Sequence, residues 1–150
     1  MNTAELLTQF ITEARECLET IGRRLLEVEK APGDTELLND LFRQVHTLKG
    51  NCGLFEFKPL EQVVHAGEDV LDKVRRGELA YSAEIADALL AAMDLTAELV
   101  DAIAEHGELG GASAGQATLV SSQLRAHLSG PAAAPRAAAT AEDRKSTRLN

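Results

Sequence analysis

Apolar positions along the chain recur in alternating steps of four and three residues. Leu7, Ile11, Ala14, Leu18, Ile21, Leu25 and Val28 draw one stripe along a long helix, because 3.6 residues per turn bring such positions onto a single face. Thr3, ahead of Ala4, Glu5 and Leu6, is expected to cap it. Pro32-Gly33-Asp34 breaks the pattern, and Asp34 or Thr35 stands where a second helix needs its cap. That helix carries Leu38, Leu41, Val45 and Leu48, and Gly50, Gly53 and Pro59 end it between Asn51 and Phe55. A third carries Leu60, Val63, Val64, Gly67, Val70, Leu71 and Val74 and closes on Arg75-Arg76-Gly77, since cations and a following glycine suit a helix C-terminus. Ser82 opens a fourth, with Ile85, Leu89, Ala92, Leu99 and Ile103 on one face and its end at His106-Gly107. After a glycine-rich loop over residues 107–115, a short, weaker helix is expected from Ala117 to Leu128.

Long amphipathic helices with short connections predict an all-α fold, an antiparallel four-helix bundle with a short fifth helix. Residues 1–129 make one domain. Over residues 130–150 the periodic apolar set is gone and Pro, Ala, Thr and charges take over, which reads as a disordered linker or tail. Residues 143–150 differ again in character and are set aside as a cloning or sequencing scar.

Composition narrows the function classes. Aromatics are only 3% and Trp is absent, so Leu and Ala fill the core, as helix packing favours and a β-sandwich does not. The formal net charge of −9 argues against nucleic acid, whose backbone draws Lys and Arg. No apolar run reaches the roughly 20 residues of a membrane span, and Met1-Asn2-Thr3-Ala4-Glu5 lacks the basic flank and apolar block of a secretory signal. Cys17 and Cys52 form no CxxC pair. A cytoplasmic protein without membrane or nucleic-acid partners is the expectation.

The second helix holds the most informative string, from Phe42 through His46, Lys49, Gly50 and Gly53 to Phe55 and Phe57. At about 100° per residue, His46 lies roughly 120° from the centre of its helix's apolar stripe, on the flank or exposed. Lys49 follows at i+3, where an ammonium can meet whatever is bonded to the imidazole. Gly50 follows at i+4, where a bulky side chain leaning back over the preceding turn would cover the ring. On the third helix His65, Glu68 and Asp72 form a flank stripe. If the two helices are antiparallel neighbours, Glu68 comes close to His46. A carboxylate accepting the Nδ1–H fixes the tautomer with Nε2 unprotonated and nucleophilic. Such an imidazole can take up a phosphoryl group and release it to a carboxylate, with Lys49 balancing charge on the phosphoryl oxygens.

His46-x-x-Lys49-Gly50, with Gly53 and Phe55-x-Phe57 after it and His65-x-x-Glu68 and Arg75-Arg76-Gly77-Glu78 on the next helix, resembles the histidine-containing phosphotransfer (HPt) family. Within it the likeness is to the N-terminal phosphotransfer domain of CheA-type chemotaxis kinases, and it covers roughly residues 3–128. The resemblance implies His46 as phosphoacceptor, Glu68 as its orienting hydrogen-bond partner, Lys49 and His65 as members of the surrounding polar network, and a helical bundle that binds no cofactor itself. It implies a separate kinase domain, in cis or in trans, that uses ATP and Mg2+ as phosphoryl source. It also implies a receiver domain of a response regulator whose aspartate is the destination. Two positions depart from the pattern: Glu56 stands where the family often has glycine between the two phenylalanines, and Asn51-Cys52 replace a commoner small pair. Both bear on loop geometry more than on chemistry.

Two other readings of the same residues are open at this stage. A non-catalytic helical adaptor would use its apolar seams to bind partner helices, with His46 incidental. A metal site from His46, Cys52, His65 and Glu68 has suitable residue types, but the spacing fits no zinc signature. His106 and His127, near segment ends, suit helix dipoles.

Overall fold

The computed structural model describes residues 2–133. The chain forms α1 (Thr3–Lys30), α2 (Thr35–Cys52), α3 (Lys58–Arg75), α4 (Ala83–His106) and α5 (Ala112–Ala126), with a single 3-10 turn at His127–Ser129. α1 packs on α2 and α4, and α3 packs on α2 and α4, so the first four helices close a bundle; α5 lies against α3 and α4. The all-α architecture is as expected from the periodicity, and no strand occurs among the described residues.

Helix starts follow their caps. Asp34 and Ser82 accept from the backbone N–H of Leu37 and Ile85. α1 differs from expectation: its cap is Asn2, one residue before Thr3. The Asn2 side chain accepts from the Glu5 N–H at 2.8 Å while the Glu5 carboxylate accepts from the Asn2 N–H, a reciprocal box that satisfies two otherwise orphaned donors. The stripe of α1 is also rotated. Phe10, Ala14, Cys17, Ile21, Leu25 and Val28 are buried, whereas Leu7, Ile11 and Leu18 sit at the core's edge. Phe10 is drawn inward by the rings of Phe55 and Phe57, and Cys17 by α2, where its thiol donates to the Gln44 carbonyl at 3.1 Å.

α5 begins at Ala112, five residues before its expected start at Ala117, and is 15 residues long rather than short. Its buried face is Ser113, Ala117, Ser121 and Leu124. Small and hydroxylated residues give almost no periodic hydrophobic signal, yet they are the face that α5 buries against the bundle.

Backbone hydrogen bonds continue past the expected domain end at residue 129. Ala80 N–H donates to the Pro131 carbonyl at 2.9 Å and Ala133 N–H to the Gly77 carbonyl at 3.1 Å. Residues 130–133 are therefore tied to the α3–α4 connection, where a disordered linker was expected to begin. The remainder of that expected tail, residues 134–150, including the segment 143–150 read as a scar, lies outside the described residues.

The α2–α3 connection sets the end of the bundle nearest the chemistry. Phe10, Phe55 and Phe57 cluster there, with ring centroids 5.6–6.2 Å apart, spacings at which offset or tilted aromatic pairs attract. Holding both phenylalanines inward forces exposed Glu56, between them, to φ 54°, the left-handed region. A side chain there costs roughly 1–2 kcal/mol, partly offset by the greater unfolded-state freedom of glycine. Glu56→Gly is expected to stabilise the fold by about 0.5–1 kcal/mol, read as a higher midpoint in urea or thermal unfolding. A lower midpoint would show that Glu56 is not strained.

Candidate functional site

With Leu38, Leu41, Val45 and Leu48 buried, α2 turns His46 outward, and its side chain is 63% exposed. α3 lies alongside and brings Glu68 to it. The Nδ1 of His46 bonds Oε2 of Glu68, and Lys49 Nζ donates to Oε1 of the same carboxylate at 2.6 Å. Two residues of α2 thus share one carboxylate of α3, each of whose oxygens has a partner. An ionised carboxylate only accepts, so in this bond the ring hydrogen is on Nδ1, and in the neutral form of the ring the lone pair is on Nε2.

Glu68 lies on the expected flank beside His46, but that flank is covered. The residue is 7% exposed, a buried charge among apolar neighbours of α3. Burial pushes its pKa up. The hydrogen bonds from Lys49 and His46 outweigh that push, and the carboxyl is held below its usual value. Buried acids persist as anions only when paired in this way.

Gly50, one turn beyond His46, is exposed, and a Cβ there would meet nothing within 4 Å. His65 is not drawn into direct contact with His46. Its Nε2 lies 3.5 Å from Oδ2 of Asp69, which in turn takes Arg125 of α5 at 2.7 Å. His65 shares with Lys49 a shallow cleft completed by Lys58, Glu61 and Gln62. Asp72, the last member of the expected flank stripe, pairs with Arg75 and Arg76 instead.

The four residues of the metal reading are not assembled. Cys52 is fully buried in the core, where burial pushes its thiol up to about 12. Among the described residues, the ligand-type atoms that converge are those of His65, Glu68 and Asp69, and both carboxylates already hold cations.

Two further residues border the site. Phe42 stacks beside the His46 ring; its signal was the i, i+4 spacing on one helix face. Arg125 reaches the site's edge from α5, and no local pattern announces that.

A family model for the Hpt domain matches residues 5–106 of the chain. The chain belongs to the Hpt domain family. Among its relatives, the chemotaxis protein CheA of Bacillus subtilis (strain 168) is 35% identical over 108 residues, 72% of this chain and 16% of the relative. The chain spans about a sixth of the length of the curated relatives it matches. The solution structure of the histidine phosphotransfer domain of CheA superposes with a TM-score of 0.74 at 31% identity, covering 83% of this chain and 92% of that one. The phosphorylated P1 domain of CheA3, crystallised in complex with CheY6 from R. sphaeroides, shares the fold with a TM-score of 0.73 at 23% identity, covering 83% of this chain and 95% of that one. The Hpt match ends at His106, so α5 and its Arg125 lie outside the matched segment.

Proposed function

We propose that this Hpt domain is a phosphoryl carrier of a CheA-like relay, with His46 as phosphoacceptor. The observation that supports this most is the His46–Glu68 bond beneath an exposed ring: it holds one nitrogen protonated and leaves the other as a nucleophile facing solvent. The Nε2 lone pair attacks the terminal phosphorus of ATP held by a separate kinase domain, in cis or in trans. The P–O bond breaks and its electron pair leaves with ADP. The ring, still carrying Nδ1–H, becomes cationic, and Glu68 offsets that charge. In the second step a receiver aspartate oxygen attacks the same phosphorus, the N–P bond breaks, and its electrons return to Nε2. Lys49, 34% exposed, stands where an ammonium can lean from Glu68 toward the phosphoryl oxygens. In-line transfer of this kind needs positioning and charge balance more than a general base.

ATP and Mg2+ belong in this reading to the kinase and receiver partners, and the carrier works in the cytoplasm. That the P1 domain of CheA3 was captured phosphorylated and with CheY6 supports a receiver as the destination. No helix among the described residues is long and apolar enough to cross a membrane, in keeping with that setting. The test is incubation with a CheA-type kinase domain and ATP. The chain should acquire a phosphate that acid removes and base does not, and should lose it to a receiver domain with Mg2+. A chain that stays unlabelled while the kinase phosphorylates a known Hpt domain overturns the reading.

The role of Gly50 follows. Because a Cβ meets open space, Gly50→Ala is expected to raise stability by up to about 1 kcal/mol, the helix-propensity difference. Gly50→Leu should keep the fold but slow phosphorylation by about tenfold, since small displacements of reacting atoms are costly. Equal rates for wild type and Gly50→Leu would remove the access role.

A further inference from the structure

The same two helices hold the His46 ring at a second point. Phe42 stands one turn before His46 on α2, and the two rings are nearly parallel, 17° apart with centroids at 6.0 Å. Phe42 is held in turn by Arg75, in the last turn of α3, whose guanidinium carbon lies 4.1 Å from the Phe42 ring centroid. That guanidinium is itself fixed. Its Nε and Nη2 reach Oδ1 of Asp72 at 2.8 and 2.7 Å, and its Nη1 reaches Oδ1 of Asn39 on α2 at 3.5 Å. Because α2 and α3 run antiparallel, Glu68 meets His46 while Arg75, two turns further on, meets Phe42, one turn further back.

The two contacts do different work. A bond at Nδ1 holds one edge of the imidazole and so limits rotation about Cβ–Cγ, but the angular spread of that bond leaves a residual tilt of a ring whose second side-chain torsion is otherwise broad. A flat neighbour removes that tilt, and offset-stacked rings at such spacing attract. An Nε2 lone pair aimed off the line of attack loses rate steeply. Resting on the phosphoryl-carrier reading, we propose that Phe42, clamped by Arg75, is a positioning residue that sets the plane of the His46 ring so that Nε2 faces the incoming phosphorus.

The experiment compares wild type, Phe42→Leu, Phe42→Tyr and Arg75→Met in two assays. One is phosphorylation by a CheA-type kinase domain with ATP, resolved into kcat and KM. The other is the NMR spectrum of the His46 ring protons with no phosphoryl donor present. Phe42→Leu should lower kcat by about tenfold with KM unchanged, and Arg75→Met by about threefold, as expected for lost orientation rather than lost binding. Phe42→Tyr, which keeps the flat face, should stay within about twofold of wild type. The His46 ring resonances should move in Phe42→Leu and not in Phe42→Tyr. Wild-type kcat together with unmoved resonances in Phe42→Leu overturns the proposal, as does a tyrosine variant as slow as the leucine one. If wild type takes no phosphate at all, the carrier reading fails, and the His46 ring-proton NOEs to Phe42 and to its own Hβ atoms, compared between wild type and Arg75→Met, which keeps the Phe42 ring, then decide whether the clamp orients His46: unchanged NOEs overturn it. Should Phe42→Leu not fold, Arg75→Met, at a side chain 30% exposed, carries the test.

Discussion

His46→Gln is expected to abolish phosphorylation of the chain by a CheA-type kinase domain, a loss of at least about 10³-fold, as when a nucleophile is removed. The fold should survive. The side chain is 63% exposed, and surface replacements usually stay within about 0.5 kcal/mol. Glutamine can still donate an amide hydrogen to Glu68, so the buried carboxylate keeps a partner. The chain has four histidines, and the variant separates His46 from His65, His106 and His127. Radiolabel from ATP, tested for survival in base and release in acid, measures the outcome. Label persisting in the glutamine variant would place the phosphate elsewhere and end the assignment.

Glu68→Ala is expected to slow phosphorylation by about 10- to 100-fold without preventing it, because the nucleophile remains while its tautomer and aim are released. Unaltered kinetics in a folded variant would leave Glu68 with a structural role only. The same residue carries a pH signature. Its folded-state pKa is depressed, because hydrogen bonds from Lys49 and His46 outweigh the opposing push of burial. An acid stabilised as its anion adds stability above its unfolded pKa, near the ordinary value of 4.5, and loses it as pH falls through the lower folded value. Urea unfolding of wild type and Glu68→Gln should therefore differ by a constant amount from neutral pH down to about 4.5, then converge in more acid solution. Convergence that is complete above pH 5 contradicts the depressed pKa.

Much of this molecule is legible along a single helix. The stripe Leu38, Leu41, Val45 and Leu48 places His46 outward by counting alone, and the positions of Lys49 and Gly50 relative to it follow from the same 3.6-residue turn. The Asp34 and Ser82 caps are equally local, since each acts on an N–H three residues away. Glu56 is legible in part: its departure from glycine was visible, but the left-handed backbone there arises from Phe55 and Phe57 both packing inward on Phe10.

Other features depend on how helices meet. The periodicity of α3 puts Glu68 on a flank, and only the approach of α2 turns that flank into a buried site with two cationic or hydrogen-bonding partners. His65 has suitable chemistry and spacing, and the rotation of α3 pairs it with Asp69, with its ring nitrogen within 4.8 Å of the Glu68 carboxylate rather than on His46 itself. α5 is longer than its periodicity suggests because Ser113, Ala117 and Ser121 carry little hydrophobic signal, although they form its buried face. The amino-acid order by itself determined the helices, their inward faces and an outward imidazole with a lysine and a glycine beside it, because those are matters of pitch and short-range capping. Which acid reaches that imidazole, how deeply it is buried and which ring and guanidinium steady it were decided by tertiary structure, because the register and rotation of one helix against another come from packing the whole core at once.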